Sequence, residues 1–275
     1  MPNRSSGRTA FRALFLGKML WARARIFFAK IAAWVYGGYV WMIFAVLLLC
    51  CGGLAMLLRG PSAARRTVRF GARVVLRLAG MQHSAKGLDR LPAGPHVLLV
   101  NHASFLDAVA LMALLPAPPG YAFAVRQEFP IQRLLCPMLK RLGTVVLVHP
   151  HSSTRRTKNV ALMTAALRRG QNLVVFPEGG FVRAPGLKPF HSGAFMAAAN
   201  ANVPIVVAGL RGTRAALPPR TWLPRRVPVT LEIGPVFTTY GKDSAAIAQL
   251  CATARKAMAP LSGEFDPMSS TPANG

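Results

Sequence analysis

A histidine and a carboxylate stand five residues apart in Asn101-His102-Ala103-Ser104-Phe105-Leu106-Asp107. A histidine can take a proton from an attacking hydroxyl near neutral pH, and a carboxylate bonded to its second ring nitrogen fixes tautomer and orientation. That pairing is the chemistry of a general base. The same letters fit a plainer purpose. Ser104-Phe105-Leu106-Asp107 has the pattern of a helix capping box, with Ser104 as N-cap and Asp107 in place of the usual glutamate. Spacing alone leaves both readings open.

A second polar feature is Phe176-Pro177-Glu178-Gly179-Gly180, which closes the apolar run Leu173-Val174-Val175. A carboxylate followed by glycines at a strand end can contact polar substrate groups, and glycine lets a ligand approach the backbone. A simple Pro-Gly turn with an exposed Glu178 is the competing reading.

The elements that must position these residues alternate along the chain. Short apolar runs near 96–100, 121–125, 144–148, 173–177, 204–210 and 229–234 read as buried strands. Helical patterns fit near 105–115, 129–142, 155–169, 190–202 and 244–258, the first stopped at Pro116. This alternation predicts an α/β fold, a mostly parallel sheet flanked by helices. His102 and Glu178 then share one edge of the sheet, where such folds carry their reactive loops. Residues 80–95 read as a connector.

Ahead of this domain the chain changes character. The 34 Lys and Arg against 8 Asp and Glu give a formal charge of +26, and the first acidic residue is Asp89. Such a bias calls for an anionic partner. No zinc-finger spacing, RNA-binding signature or basic coiled coil accompanies it, and the mean hydropathy is +0.35. An anionic membrane surface fits these facts, and nucleic acid does not. From about residue 10 to residue 30, arginines and lysines alternate with Phe11, Leu14, Trp21, Phe27 and Phe28 as in a basic helix lying on a membrane; the first ten residues are expected to be disordered.

Ile31 to Leu58 has no charged side chain. As one helix it would run roughly 42 Å, against a hydrocarbon core of about 30 Å. Two arrangements accommodate it: a tilted span, or a hairpin broken at Gly37-Gly38 or Gly52-Gly53. Basic residues on both flanks prevent the positive-inside rule from choosing. The arginines of the following helix, from Pro61, are expected to face headgroups or solvent. The chain therefore divides into membrane-anchoring helices over 1–60, an α/β domain over 61–265 and a disordered tail over 266–275. The four cysteines show no metal-ligand spacing or disulfide framework and read as reduced. His149, His151 and His191 lack ligand spacing, so no metal is expected.

Taken together the motifs resemble the glycerolipid acyltransferase family, which makes phosphatidic acid from lysophosphatidic acid. Asn101-His102-x-x-x-x-Asp107 and Phe176-Pro177-Glu178-Gly179 are followed by Gly186-Leu187-Lys188-Pro189-Phe190-His191-Ser192-Gly193-Ala194-Phe195 and by Val203-Pro204-Ile205-Val206-Val207, in the family's order. The resemblance covers about residues 80–240. It implies transfer of an acyl group from acyl-CoA or acyl carrier protein to a lysolipid hydroxyl, with no cofactor. It gives His102 the role of base, Asp107 that of its orienter, and substrate contacts to Asn101, Glu178, Gly179 and Arg183. It also implies a site at the membrane surface, on the cytoplasmic face of the inner membrane, where a membrane-resident acceptor meets a soluble donor.

Two departures bear on the acceptor. The family continues Phe-Pro-Glu-Gly with Thr-Arg, where this chain has Gly180-Phe181. The family's middle motif ends in an arginine that binds the acceptor phosphate, where this chain has His149 after Gly143-Thr144-Val145-Val146-Leu147-Val148. Arg155, Arg156, Arg183, Lys188 and Arg211 are the remaining cations for a phosphate clamp. The acceptor is thus 1-acyl-glycerol-3-phosphate by resemblance, with a lyso-ornithine lipid or another lysophospholipid as alternatives. A non-catalytic lipid-binding protein of the same fold is the reading from another class.

Overall fold

The structure, a computed structural model, describes residues 4–118, 120–126, 136–148, 152–181, 184–219, 221–239, 241 and 243–266. Two long helices lead, α1 (Arg4–Leu57) and α2 (Pro61–Leu78). The strands that follow are β1 (His83–Lys86), β2 (Val97–Val100), β3 (Tyr121–Arg126), β4 (Val145–Leu147), β5 (Asn172–Val175), β6 (Ile205–Arg211) and β7 (Val229–Phe237). Among them lie α3 (Leu106–Leu114), α4 (Cys136–Arg141), α5 (Ser153–Arg168), α6 (Gly193–Ala201) and the short α7 (Thr213–Ala216), with α8 (Ser244–Ser262) last.

The seven strands form one sheet in the order β1-β7-β6-β2-β5-β3-β4. Every pairing is parallel except β6 with β7. The central strands are buried on both faces, which is why they appear as unbroken apolar runs. Their side chains alternate between the two sides. Val97 and Leu99 join Leu173, Val175, Ile205 and Val207 beneath α5, α6 and α8. Leu98 and Val100 join Val174, Val206 and Ala208 beneath Ala110, Leu111 and Leu114 of α3. The result is a three-layer α/β/α domain, as the alternation of elements implied.

Several boundaries differ from the sequence expectations. The segment 80–95 is not only a connector: His83–Lys86 adds β1 at the sheet edge, paired with Val229 to Glu232. Strand β7 extends to Phe237. The helix expected over 129–142 is described only from Cys136, its earlier residues lying outside the described ones. Of the tail, Asp266 is fixed rather than disordered, its Oδ1 2.6 Å from Arg255 Nη2 with both side chains largely buried. Residues 267–275 lie outside the described residues.

The N-terminal region departs most. Helix α1 is continuous to Leu57 and begins at Arg4, so residues 4–10 are helical rather than disordered. The hairpin within 31–58 does not form. Two of its four glycines serve close packing: a Cβ on Gly37 would lie 2.7 Å from Leu223 Cδ2, and one on Gly52 3.1 Å from Met138 Sδ. The chain turns only at residues 58–60, where Gly60 has φ +85, and α2 runs back along α1. Cys51 meets Gly71 near the turn, and Tyr36 donates to the Ala79 carbonyl beyond the far end of α2. Over Trp21–Leu57, α1 is long and apolar enough to cross a membrane.

The arginines of α2 were expected to face outward. Three of them, spaced four apart and so on one helix face, turn inward to carbonyls. Arg73 Nε donates to Ala113 (2.9 Å), Arg69 Nη1 to Ala117 (3.3 Å) and Arg65 Nε to Leu142 (2.8 Å). Ala113 lies in the last turn of α3, whose carbonyls have no intrahelical partner and carry the negative end of the helix dipole. The cations of α2 therefore dock it on the domain.

Gly209 in β6 is the tightest approach between sheet and helix, since a Cβ there would occupy the backbone carbonyl of Leu261 in α8. Gly209→Ala is expected to cost about 2–3 kcal/mol, measured as a lower Tm in detergent. Gly38→Ala, where a Cβ meets nothing within 4 Å, should leave Tm unchanged or slightly raised.

Candidate active site

Three parallel strands end side by side, β6, β2 and β5, and the loops beyond them bring the polar residues together. His102 follows β2. Its Nδ1–H donates to Asp107 Oδ2 at 2.7 Å, which leaves Nε2 with its lone pair; the ring is 20% exposed. Asp107, fully buried in the first turn of α3, uses that same oxygen to accept the backbone N–H of Ala103 (2.7 Å) and of Ser104 (2.9 Å). Its other oxygen, Oδ1, is buried without a partner among the described residues.

The two sequence readings of Asp107 thus merge. The carboxylate reaches back to the Ser104 N–H as one half of a capping box does, and it orients His102 at the same time. The reciprocal half is missing. Ser104 Oγ donates to the Leu217 carbonyl (2.8 Å) and accepts from Leu106 N–H (3.2 Å), not from Asp107 N–H.

Glu178, 2% exposed, is a brace between loops rather than an exposed turn residue. Oε1 accepts from His102 N–H (2.8 Å) and Oε2 from Lys188 N–H (2.9 Å). Burial raises its carboxyl above the ordinary glutamate range, while the two N–H donors and nearby His102 oppose that by favouring the ionised form. Asn101 is equally committed, donating to the Leu210 carbonyl (3.0 Å) and accepting from Leu210 N–H (2.7 Å). Both side chains hold the loop of His102 in place through backbone, where a substrate contact was expected. Gly179 takes φ +69 and its N–H closes a turn on the Phe176 carbonyl (3.0 Å), a conformation that costs glycine little.

The remaining cations are spread. Lys188 Nζ donates to the Gly180 carbonyl (3.2 Å), and Arg211 to the Leu261 and Pro260 carbonyls. Arg155 and Arg156 lie exposed at the start of α5. Arg183 and His149 lie outside the described residues. Two residues named in the motifs but given no role there surround the ring: His102 stacks on Phe176 (4.1 Å between centroids, 16°) and meets Phe181 edge-on (4.8 Å, 75°). Their place in Phe176-Pro177-Glu178-Gly179-Gly180-Phe181 was the available signal.

The geometry is that of a base with one nitrogen fixed by a buried carboxylate and the other, among the described residues, without a partner at the sheet edge. An acyltransferase family model matches residues 83–211. The chain is 32% identical over 134 residues to a 1-acyl-sn-glycerol-3-phosphate acyltransferase of Neisseria gonorrhoeae, covering 46% of this chain and 51% of that one. It is 28% identical over 243 residues to 1-acyl-sn-glycerol-3-phosphate acyltransferase beta of Homo sapiens, covering 86% and 84%. Several of the curated relatives are matched over only about half of their length or less. The crystal structure of the 1-acyl-sn-glycerophosphate acyltransferase from Thermotoga maritima has the same fold, with a TM-score of 0.65 at 20% identity over 82% of this chain and 94% of that one.

Asp107→Asn would keep an acceptor for the three N–H donors but put an amide beside no partner at the Oδ1 position. Turnover should fall about 10²–10⁴-fold, with stability reduced by about 1–3 kcal/mol. Glu178→Gln turns an amide toward one of its two N–H donors, and the resulting displacement of His102 should lower kcat by up to about 10²-fold. Steady-state kinetics and thermal unfolding of each variant check both.

Proposed function

We propose, from the match of residues 83–211 to an acyltransferase family model and from the site geometry, that this protein moves a fatty acyl group from a thioester to a lysolipid hydroxyl. The observation that carries the reading is the His102 Nδ1–Asp107 contact at 2.7 Å, which leaves Nε2 available. His102 Nε2 takes the proton of the acceptor hydroxyl as its oxygen attacks the thioester carbonyl. The tetrahedral intermediate then collapses, the carbon–sulfur bond breaks, and the proton passes from Nε2 to the departing thiolate. The products are the ester and the free thiol of the carrier.

Asp107 keeps the ring in the tautomer that can accept a proton and stabilises the imidazolium formed. Glu178 and Asn101 position the loop. A base of this kind contributes roughly 10²–10⁴-fold; holding acceptor and thioester together supplies much of the rest. These steps use no group beyond the two substrates and the protein.

The donor is acyl-CoA or acyl carrier protein. The acceptor is 1-acyl-glycerol-3-phosphate, as the names of the relatives suggest, and the product is phosphatidic acid. The apolar span Trp21–Leu57 would hold the enzyme at a membrane where the acceptor resides. A soluble donor places the site on the cytoplasmic face. Residues 1–60 serve as anchor and 61–265 as the catalytic domain.

The test is incubation of purified protein with labelled acyl-CoA or acyl carrier protein and a panel of lysophosphatidate, other lysophospholipids and lyso-ornithine lipid. Wild type should acylate lysophosphatidate, and His102→Ala should lose turnover about 10²-fold or more while still folding and associating with membrane. Near-normal turnover of His102→Ala would sink the mechanism. Absence of product with every acceptor and donor would favour a non-catalytic lipid-binding role.

A further inference from the structure

The aromatic rings around His102 do not stop at the catalytic loop. Phe181 lies edge-on to His102 at 4.8 Å and edge-on to Phe105 at 4.8 Å; Phe105 stacks on Trp222 at 5.6 Å and 14°; Trp222 meets Trp41 at 5.9 Å. Trp41 belongs to α1, within the stretch apolar enough to cross a membrane. A continuous row of rings therefore joins the base to the membrane-length helix. Its four steps come from four separate places in the chain.

Packing of α1 on the domain explains part of this row. The Trp41 Nε1–H donates to the Trp222 carbonyl at 2.6 Å, and Gly37 lets Leu223 approach the helix. Packing does not explain why the middle of the row faces outward, with Phe105 48% and Trp222 66% exposed. Scattered exposed apolar residues need no explanation, but a contiguous apolar strip leading to a site does. The surroundings of its outer end suit a membrane interface: the Arg226 guanidinium sits 4.9 Å over the Tyr36 ring, whose hydroxyl is bonded to the Ala79 carbonyl. Tryptophan, tyrosine and arginine are side chains enriched where lipid meets water.

We propose that this row is the track along which the acyl chain of the lysolipid acceptor leaves the bilayer and reaches His102, with Trp222 as the residue that recognises the chain. The proposal rests on the acyl-transfer reading and adds to it a specificity determinant on the loop between α7 and β7. The occupant is one hydrocarbon chain. Ring faces and edges offer it apolar contact without hydrogen-bonding demands, and the loop is pinned to α1, so the surface is preformed. A long chain would lie along the whole row, whereas a short one would engage only Phe181 and Phe105.

The experiment compares wild type, Trp222→Ala and Trp222→Phe in mixed micelles with oleoyl- and hexanoyl-lysophosphatidate as acceptors. For the oleoyl acceptor, Trp222→Ala should raise KM about tenfold with little change in kcat, and Trp222→Phe should restore most of the loss. For the hexanoyl acceptor, all three should be alike. An equal loss on both acceptors, or none on the oleoyl one, would overturn the track. If wild type turns over neither, lysophosphatidate is not the acceptor, and quenching of tryptophan fluorescence by bromo-oleoyl-lysophosphatidate decides the track separately. Trp21, Trp34 and Trp41 are common to both proteins, so a smaller quenched fraction in Trp222→Phe supports it, and an equal fraction in the two proteins overturns it.

Discussion

One buried oxygen governs the loop that carries His102. Asp107 Oδ2 accepts three N–H groups, from the His102 ring and from the backbones of Ala103 and Ser104. An ionised carboxylate out of water is costly unless hydrogen-bonded. Here the donors converge on it, and the positive end of the α3 dipole lies beneath it. The loop must wrap around the carboxylate to satisfy it, and wrapping the loop is what sets the His102 ring. Folding and the orientation of the His102 ring are therefore the same constraint at this point.

The rest of the site extends that constraint outward. Asn101 ties the end of β2 to Leu210 of β6, and Glu178 ties His102 to Lys188 across the end of β5. Each is a buried polar side chain spending both of its polar atoms on backbone. Losing one would leave unsatisfied groups in an apolar setting, where the penalty is large. The parallel sheet makes this economical, because strands that end together place their loops within reach of one another. Around this frame, Phe176 and Phe181 confine the ring without competing for its free nitrogen.

The same logic explains how a chain with so many cations folds. Arg65, Arg69 and Arg73 bond backbone carbonyls, two of them at or just beyond the C-terminal end of α3, and Arg211 bonds those ending α8. Backbone carbonyls here take the place of the carboxylate partners that the composition lacks. The arginines of α2 also fasten that helix, and through it α1, to the α/β domain that carries His102.

The periodicity of the sequence determined the α/β class, most strands and helices, and the stretch that carries His102 and Asp107, because burial of a strand or a helix face is a property of each segment alone. It also determined that an apolar span precedes the domain. Pairings between distant segments were not legible in it. His83–Lys86 is short and half-buried, with no strand signal apart from its place against β7. The inward turn of the α2 arginines depended on where α3 ends, and the bracing roles of Asn101 and Glu178 on which strands lie side by side. Trp222, distant in sequence from every residue of the base, joined the row only because a loop between α7 and β7 lands on α1. Residue types and spacing specified the reactive group; the tertiary structure decided what holds it and what leads to it, since those contacts exist only once the sheet has brought separate loops to one edge.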